Sequence, residues 1–148
     1  MQNNFTLRTA TEQDFPAIKQ LIRDAQINPT GLDWRRFVVA VDGSGEMRGC
    51  GQLKPHGKEI VELASIAVAP SDRNKGIARA IIEHLISGAP RPLYLTCRSG
   101  LQSFYEKWGF RVIGLDEMPS YFRRLSRFAN TMFGMFERGE SLLVMKLM

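Results

Sequence analysis

Cysteine and histidine are scarce, with two of each among 148 residues. Cys50 and Cys97 both sit inside apolar stretches, where a free thiol behaves as a small buried hydrophobe, and two such residues make no disulfide framework. His56 and His84 lie far apart, and neither shares a zinc-ligand spacing with a cysteine or carboxylate, so no metal site is expected. No apolar run approaches the roughly 20 residues of a membrane span. Met1 to Arg8 alternates polar and apolar residues where a secretory signal carries basic, apolar and small-residue blocks in turn. Internal repeats and low-complexity tracts are also lacking. These absences point to a cytoplasmic protein with no membrane partner.

The composition that remains is that of an ordinary globular chain, 44% hydrophobic and 24% charged. Its length suits a single domain spanning residues 1–148. The net charge of +5 favours an anionic partner. Basic residues are scattered, with one concentration at Arg123, Arg124 and Arg127 and no long basic arm, so nucleic acid is not the expected anion.

Periodicity gives the element order. Phe5 to Arg8 alternates as a strand, and Thr11 opens a helical pattern through Phe15, Ile18, Leu21 and Ile22. Turn chemistry at Asn28 to Gly31 leads past Trp34 into the strand Phe37 to Val41, and Asp42-Gly-Ser-Gly45 connects it to a hairpin partner, Met47 to Leu53. Ile60 to Ala69 is the longest strand, stopped by Pro70. A basic loop then precedes a helix with Ile77, Ala80, Ile81, Leu85 and Ile86 on one face. Leu93 to Cys97 is a strand, Ser99 is placed to cap a helix through Leu101, Phe104, Tyr105 and Trp108, and Gly109 suits its left-handed end. Phe110 to Leu115 and Ser141 to Leu147 read as strands, with a helix over Pro119 to Phe136 between them. This alternation predicts an α/β fold, a mixed α+β sheet of about seven strands flanked by helices.

One strand-to-helix junction is dressed for a phosphate-bearing ligand. In Val68-Ala-Pro-Ser-Asp-Arg-Asn-Lys-Gly-Ile-Ala78, Gly76 lets backbone approach a pyrophosphate. Successive N–H groups of Arg73, Asn74, Lys75, Gly76, Ile77 and Ala78 can form an anion nest, and the Arg73 and Lys75 cations add diffuse attraction. The pattern is neither a Walker loop nor a dinucleotide fingerprint.

Arg73-Asn-Lys-Gly-Ile-Ala78 resembles the Arg/Gln-x-x-Gly-x-Gly/Ala motif of the GNAT acetyltransferases, and the strand Glu62 to Pro70 and the segment Phe104-Tyr-Glu-Lys-Trp-Gly-Phe110 resemble two further family segments in the same order. The likeness runs from Phe5 to about Leu115 and fades beyond. It implies a splay between the fourth and fifth strands, with acetyl-coenzyme A as co-substrate and its pantetheine arm paired to the backbone of Ile66, Ala67 and Val68 like an added strand. It also implies direct attack of an amine on the acetyl carbonyl.

A lysine-like amine, with a pKa of about 10, must first lose a proton, a term of about 4 kcal/mol at pH 7. Glu62 stands where several family members place a general base. Because four extended residues from Glu62 to Ile66 span about 13 Å, that role requires a water relay. Anchoring the substrate cation and a structural ion pair remain open for the same carboxylate. Tyr105 holds the family's proton-donor position, against the alternative of a plain core aromatic. Arg98 replaces an asparagine that touches coenzyme A in many relatives, so it either meets the cofactor differently or faces solvent. Cys97 has no evident basic partner and reads as a buried thiol.

The resemblance also places Trp34, Arg35 and Arg36 where relatives line the acceptor site, and the arginines suit a carboxylate, against the alternative of ordinary solvated residues of a surface loop. A small-molecule amine such as an amino acid is therefore the expected acceptor. The segment 117–139 is less typical of the family; its broad apolar face suits core packing, a homodimer contact or a wall of the acceptor pocket. Alternatives to this reading are a non-catalytic acyl-coenzyme A-binding module, and a protein or peptide N-acetyltransferase whose basic helix meets an anionic partner.

Overall fold

The computed structural model describes residues 4–132 and 140–148. It contains a mixed seven-stranded sheet with helices packed on it. The strands are β1 (Phe5–Thr9), β2 (Phe37–Asp42), β3 (Met47–His56), β4 (Ile60–Val68), β5 (Leu93–Arg98), β6 (Arg111–Val112) and β7 (Leu142–Leu147). The helices are α1 (Phe15–Ala25), α2 (Ile77–Gly88), α3 (Gln102–Glu106) and α4 (Ser120–Met132). Strand order in the sheet is β1-β2-β3-β4-β5-β7-β6. The mixed α/β sheet expected from the sequence is thus present. Two compact units divide the chain, Met1–Lys54 with Leu63–Ala89, and Pro55–Glu62 with Pro90–Met148.

In the first unit β2 runs antiparallel to β1, with Phe5 opposite Asp42, and to β3, with Phe37 opposite Gln52. Asp42 Oδ1 accepts N–H bonds from Ser44 at 2.9 Å and Glu46 at 3.0 Å, which closes the β2–β3 turn. The core joins Ile18, Leu21 and Ile22 of α1 to Phe37, Val39 and Val41 of β2 and to Cys50 and Ala67. Ile77, Ile81, Ile82 and Leu85 form the buried face of α2. That helix lies almost on the backbone of β3. A Cβ on Gly49 would fall 2.7 Å from Ile77 Cγ2, and one on Gly51 would fall 2.7 Å from Ile81 Cγ2. No side chain fits there, so the two glycines set how closely α2 approaches.

In the second unit β7 runs antiparallel between β5, with Leu93 opposite Leu147, and β6, with Arg111 opposite Lys146. The start of β4 pairs in parallel with β5, Val61 opposite Leu93 and Glu62 opposite Tyr94. A core of Tyr94, Ile113, Met118, Phe122 and Val144 brings α4 onto this sheet.

Three local expectations change. The strand expected over Phe110 to Leu115 shortens to Arg111–Val112, because Gly114 to Met118 turns back through the bonds Glu117 N–H to Gly114 O and Met118 N–H to Leu115 O. Ser99 does not cap α3, which begins after Leu101; its hydroxyl instead accepts the Ser141 N–H at 3.1 Å and ties β5 to the entry of β7. Gly109 does take the left-handed conformation, φ +97°. The helix expected from Pro119 is present from Ser120, while its Phe133 and Phe136 end, and with it the close of the 117–139 segment, lies outside the described residues.

Candidate active site

In the first unit, the loop ahead of α2 is built by a buried carboxylate. Asp72 lies in a single 3-10 turn over Pro70–Asp72, and its side chain is 12% exposed. Arg48 Nη1 donates to Asp72 Oδ2 at 3.3 Å, Lys75 Nζ donates to Oδ1 at 3.2 Å, and the Ala69 N–H donates to Arg48 O at 2.9 Å. The loop is thereby held to β3 at both its start and its middle. Asn74 and Gly76 adopt left-handed backbone, φ +66° and +83°. Such turns direct successive N–H groups to one side. Gly76 immediately precedes α2, whose first-turn amides lack intrahelical acceptors. A Cβ on Gly76 would meet nothing within 4 Å, so the position is open as well as left-handed. Arg73, Asn74, Lys75 and Gly76 are exposed, Ile77 is buried and Ala78 partly buried. Of the two cations singled out in the sequence, Lys75 is thus engaged with Asp72, while Arg73 faces solvent.

Ile66, Ala67 and Val68 occupy the last turn of strand before this loop. One residue earlier, Ser65 has φ +60° inside β4, a kink that periodicity does not reveal. Ser65 Oγ accepts from Gln52 Nε2 at 2.9 Å and its carbonyl accepts the Cys50 thiol at 3.7 Å, so β3 holds the distorted backbone in place.

The segment around Trp34 also belongs to this unit. Trp34 packs against the core, Asp33 Oδ1 accepts the Arg35 N–H at 3.0 Å, and the Arg35 guanidinium lies 4.8 Å from the Trp34 ring centroid. Arg36 pairs with Asp33 at 3.9 Å. Lys54, a buried lysine unnoticed in the sequence, donates to Thr30 O at 3.1 Å and fastens the 28–36 segment to β3.

In the second unit, Glu62 is buried on β4, with its side chain 8% exposed. Its Oε1 lies 2.7 Å from Nε2 of His56, the last residue of β3. The imidazole stacks on Tyr121 at 3.7 Å between centroids and meets the edge of Phe122 at 5.7 Å. Burial, and then the Glu62 charge, push the Tyr121 phenol up. Sequence reading gave Glu62 but neither His56 nor Tyr121. The one available signal was their spacing, a histidine six residues before the carboxylate across a turn.

Tyr105 is buried on α3 among Phe104, Trp108 and Phe110. Burial, and then the neighbouring Cys97, hold its phenol well above the ordinary range, so it stays protonated at any physiological pH. Cys97 touches Met145 Sδ at 3.8 Å, and burial pushes its thiol up to about 11, the signature of a core thiol. Arg98 is exposed at the end of β5.

A family model described as an acetyltransferase (GNAT) domain matches residues 33–112, more than half of the chain. An uncharacterized N-acetyltransferase, CT2212 of Chlorobaculum tepidum, is 31% identical over 90 residues, which are 57% of this chain and 56% of that protein. The chain thus matches little more than half the length of this relative. Among solved structures, N-acetylglutamate synthase from Neisseria gonorrhoeae, complexed with coenzyme A and N-acetyl-glutamate, superposes with TM-score 0.73 at 23% identity, over 100% of this chain and 36% of that one. Rv2747 from Mycobacterium tuberculosis, in complex with CoA and NLQ, gives TM-score 0.71 at 24% identity, over 97% of this chain and 99% of that one.

Proposed function

The chain belongs to the GNAT acetyltransferase family, and from that premise we propose that it moves an acetyl group from acetyl-coenzyme A to a primary amine of a small molecule by direct attack. The observation that carries this reading is the turn at Arg73 to Gly76, left-handed at Asn74 and Gly76 and set at the N-terminus of a helix seated on Gly49 and Gly51. The residues fit the cofactor: an open glycine at the start of a helix and a solvent-facing Arg73 suit a pyrophosphate. Backbone of Arg73 to Ala78 holds the phosphates, and Ile66, Ala67 and Val68 pair with the pantetheine amides. Arg98 contributes to the nucleotide side. When bound, acetyl-coenzyme A supplies an activated acyl carbon and a thiolate leaving group.

Glu62 serves removal of the amine proton through water, and Tyr105 gives its proton to the departing sulfur as the carbon–sulfur bond breaks. From ordinary pKa values of about 10 and 8.5 that last transfer is uphill by about 2 kcal/mol. Burial of Tyr105 adds to the difference. A sulfur anion in the same dry surroundings gains proton affinity for the same reason, which offsets the addition. An amino acid acceptor is favoured by the exposed Arg35 and Arg36, whose guanidiniums suit a carboxylate. It is also favoured by the N-acetyl-glutamate bound to the gonococcal synthase of the same fold.

Calorimetric titration of acetyl-coenzyme A into the chain and into Gly76→Val tests the reading. Micromolar binding that the variant loses, followed by acetylation of a member of an amine panel, supports it. Absence of binding to the intact chain overturns it, and binding without transfer to any amine favours a non-catalytic acyl-coenzyme A module.

A further inference from the structure

In the sequence His56 is merely a histidine without a metal partner; in the fold it is the hydrogen-bond partner of Glu62. Both groups are shielded, with side chains 13% and 8% exposed. An ionised carboxylate only accepts, so the 2.7 Å contact requires the proton on Nε2. The neutral ring then carries its lone pair on Nδ1, the nitrogen left to take a proton. A carboxylate that fixes the tautomer of a histidine base is the arrangement that serves proton transfer in hydrolase triads, where the carboxylate itself stays ionised. An imidazole is also better matched than a carboxylate to accepting a proton at neutral pH.

Two aromatic side chains hold the ring. Tyr121 covers one face at 3.7 Å and 21° between planes, and Phe122, fully buried, abuts it edge-on. Tyr121 and Phe122 themselves pack at right angles, and Phe122 stacks on Tyr94 of β5 at 5.3 Å. The groups in contact with the imidazole are Glu62 from β4 and Tyr121 and Phe122 from α4, and Lys58 and Glu59 follow His56 in the exposed turn after β3. An imidazolium formed here has the Glu62 charge as partner and an aromatic face against it.

We propose that His56 is the proton-accepting member of a His56–Glu62 pair in this acetyltransferase, and that Tyr121 of α4 positions its ring. This rests on the function proposed above and reassigns the base within it. The acceptor's ammonium loses a proton through water to Nδ1 of His56, and Glu62 remains a carboxylate. The freed amine forms the C–N bond, the C–S bond breaks and Tyr105 protonates the sulfur; the second proton shed by the new amide nitrogen restores the Tyr105 phenol through water, and the proton held by His56 returns to solvent. The helix that is least typical of the family then has a catalytic duty, which is to hold the base.

Two measurements test this on the full chain. Histidine 15N NMR, with His84→Gln used for assignment, reads the neutral tautomer without any substrate. Protonation of Nε2 is expected, and a ring protonated on Nδ1 overturns the proposal. For the best acceptor in a panel of L-amino acids, a diamine and a short peptide, coenzyme A release is followed against pH for the intact chain, His56→Gln, Tyr121→Phe and Tyr121→Leu. Glutamine keeps a donor to Glu62 but cannot titrate. His56→Gln is expected to lower kcat by about 10²- to 10⁴-fold at pH 7 and to remove the acidic limb of the profile, with the KM for acetyl-coenzyme A unchanged. Tyr121→Leu should lower kcat, and Tyr121→Phe should lose less. A His56→Gln profile that keeps its limb and rate overturns the pair while leaving the acetyltransferase reading intact. Transfer absent from the intact chain overturns both.

Discussion

Asp72 and Arg48 meet across 24 residues of chain, with Arg48 Nη1 donating to Asp72 Oδ2 at 3.3 Å. Because Asp72 also holds Lys75, one carboxylate sets the course of the loop that enters α2. Removing it leaves a half-buried guanidinium short of a partner. Asp72→Ala is expected to weaken acetyl-coenzyme A binding about tenfold, about 1.4 kcal/mol. Calorimetry checks this, and unchanged affinity would show that the loop keeps its shape without the carboxylate.

Gly51 and Gly76 should separate stability from binding. A methyl on Gly51 would crowd Ile66 Cδ1 at 2.6 Å and Ile81 Cγ2 at 2.7 Å, so Gly51→Ala is expected to cost about 1–3 kcal/mol and to lower Tm. Gly76 has open space but φ +83°, so Gly76→Val costs about 1–3 kcal/mol in backbone strain and chiefly loses cofactor affinity. Thermal melts beside titrations of both variants distinguish the two effects.

Tyr105→Phe keeps the aromatic packing of α3 and removes only the hydroxyl. The expected result is a kcat lowered by about 10²-fold or more with Tm within a few degrees. Steady-state kinetics with a thiol reagent for released coenzyme A provides the check. A kcat within twofold of the intact chain would make Tyr105 a core aromatic alone.

Neither thiol should behave as a nucleophile. Burial pushes Cys50 up to about 12 and Cys97 up to about 11, so at pH 8 the thiolate of Cys97 is about one part in a thousand. Mass spectrometry after native alkylation is expected to show no adduct at either residue, and two adducts after denaturation. Rapid native labelling of Cys97 would contradict the assignment.

Acid sensitivity should trace in part to Asp14. The Arg8 guanidinium, 2.7 Å away, is the main cause that lowers its carboxyl to about 2. A depressed folded pKa contributes stability above the unfolded value of about 3.9 and loses it as pH falls toward 2. With Arg8 partly solvent-screened, the pair is worth at most about 1 kcal/mol. Melts of Arg8→Ala should show a smaller Tm loss between pH 4 and 2 than the intact chain.

The order of strands and helices and the turn ahead of α2 were legible in the sequence because each depends on local chemistry, whereas Glu62 and Tyr105 were singled out only by the resemblance to the acetyltransferase family. Apolar periodicity marks the face of α2 at Ile77, Ile81 and Leu85, Pro70 ends a strand, and Gly76 permits a left-handed turn. Composition and spacing act within a few residues, and the chain cannot hide them.

Tertiary structure decided the rest, because partnership depends on which distant groups become neighbours. Glycines 49 and 51 are unremarkable until α2 lies on them, and Ser65 is an ordinary strand residue until Gln52 and Cys50 bind its kinked backbone. Arg48 and Lys54 are surface-type residues that folding turns inward, one onto Asp72 and the other onto the Thr30 carbonyl. His56 reaches Glu62 because the turn after β3 reverses the chain between them, and its ring is fixed by an aromatic residue from a helix 65 positions further on, Tyr121. A sequence shows which side chains can carry a proton; folding determines which of them meet, because burial forces each polar group to find its partner among whatever the packed core brings within reach.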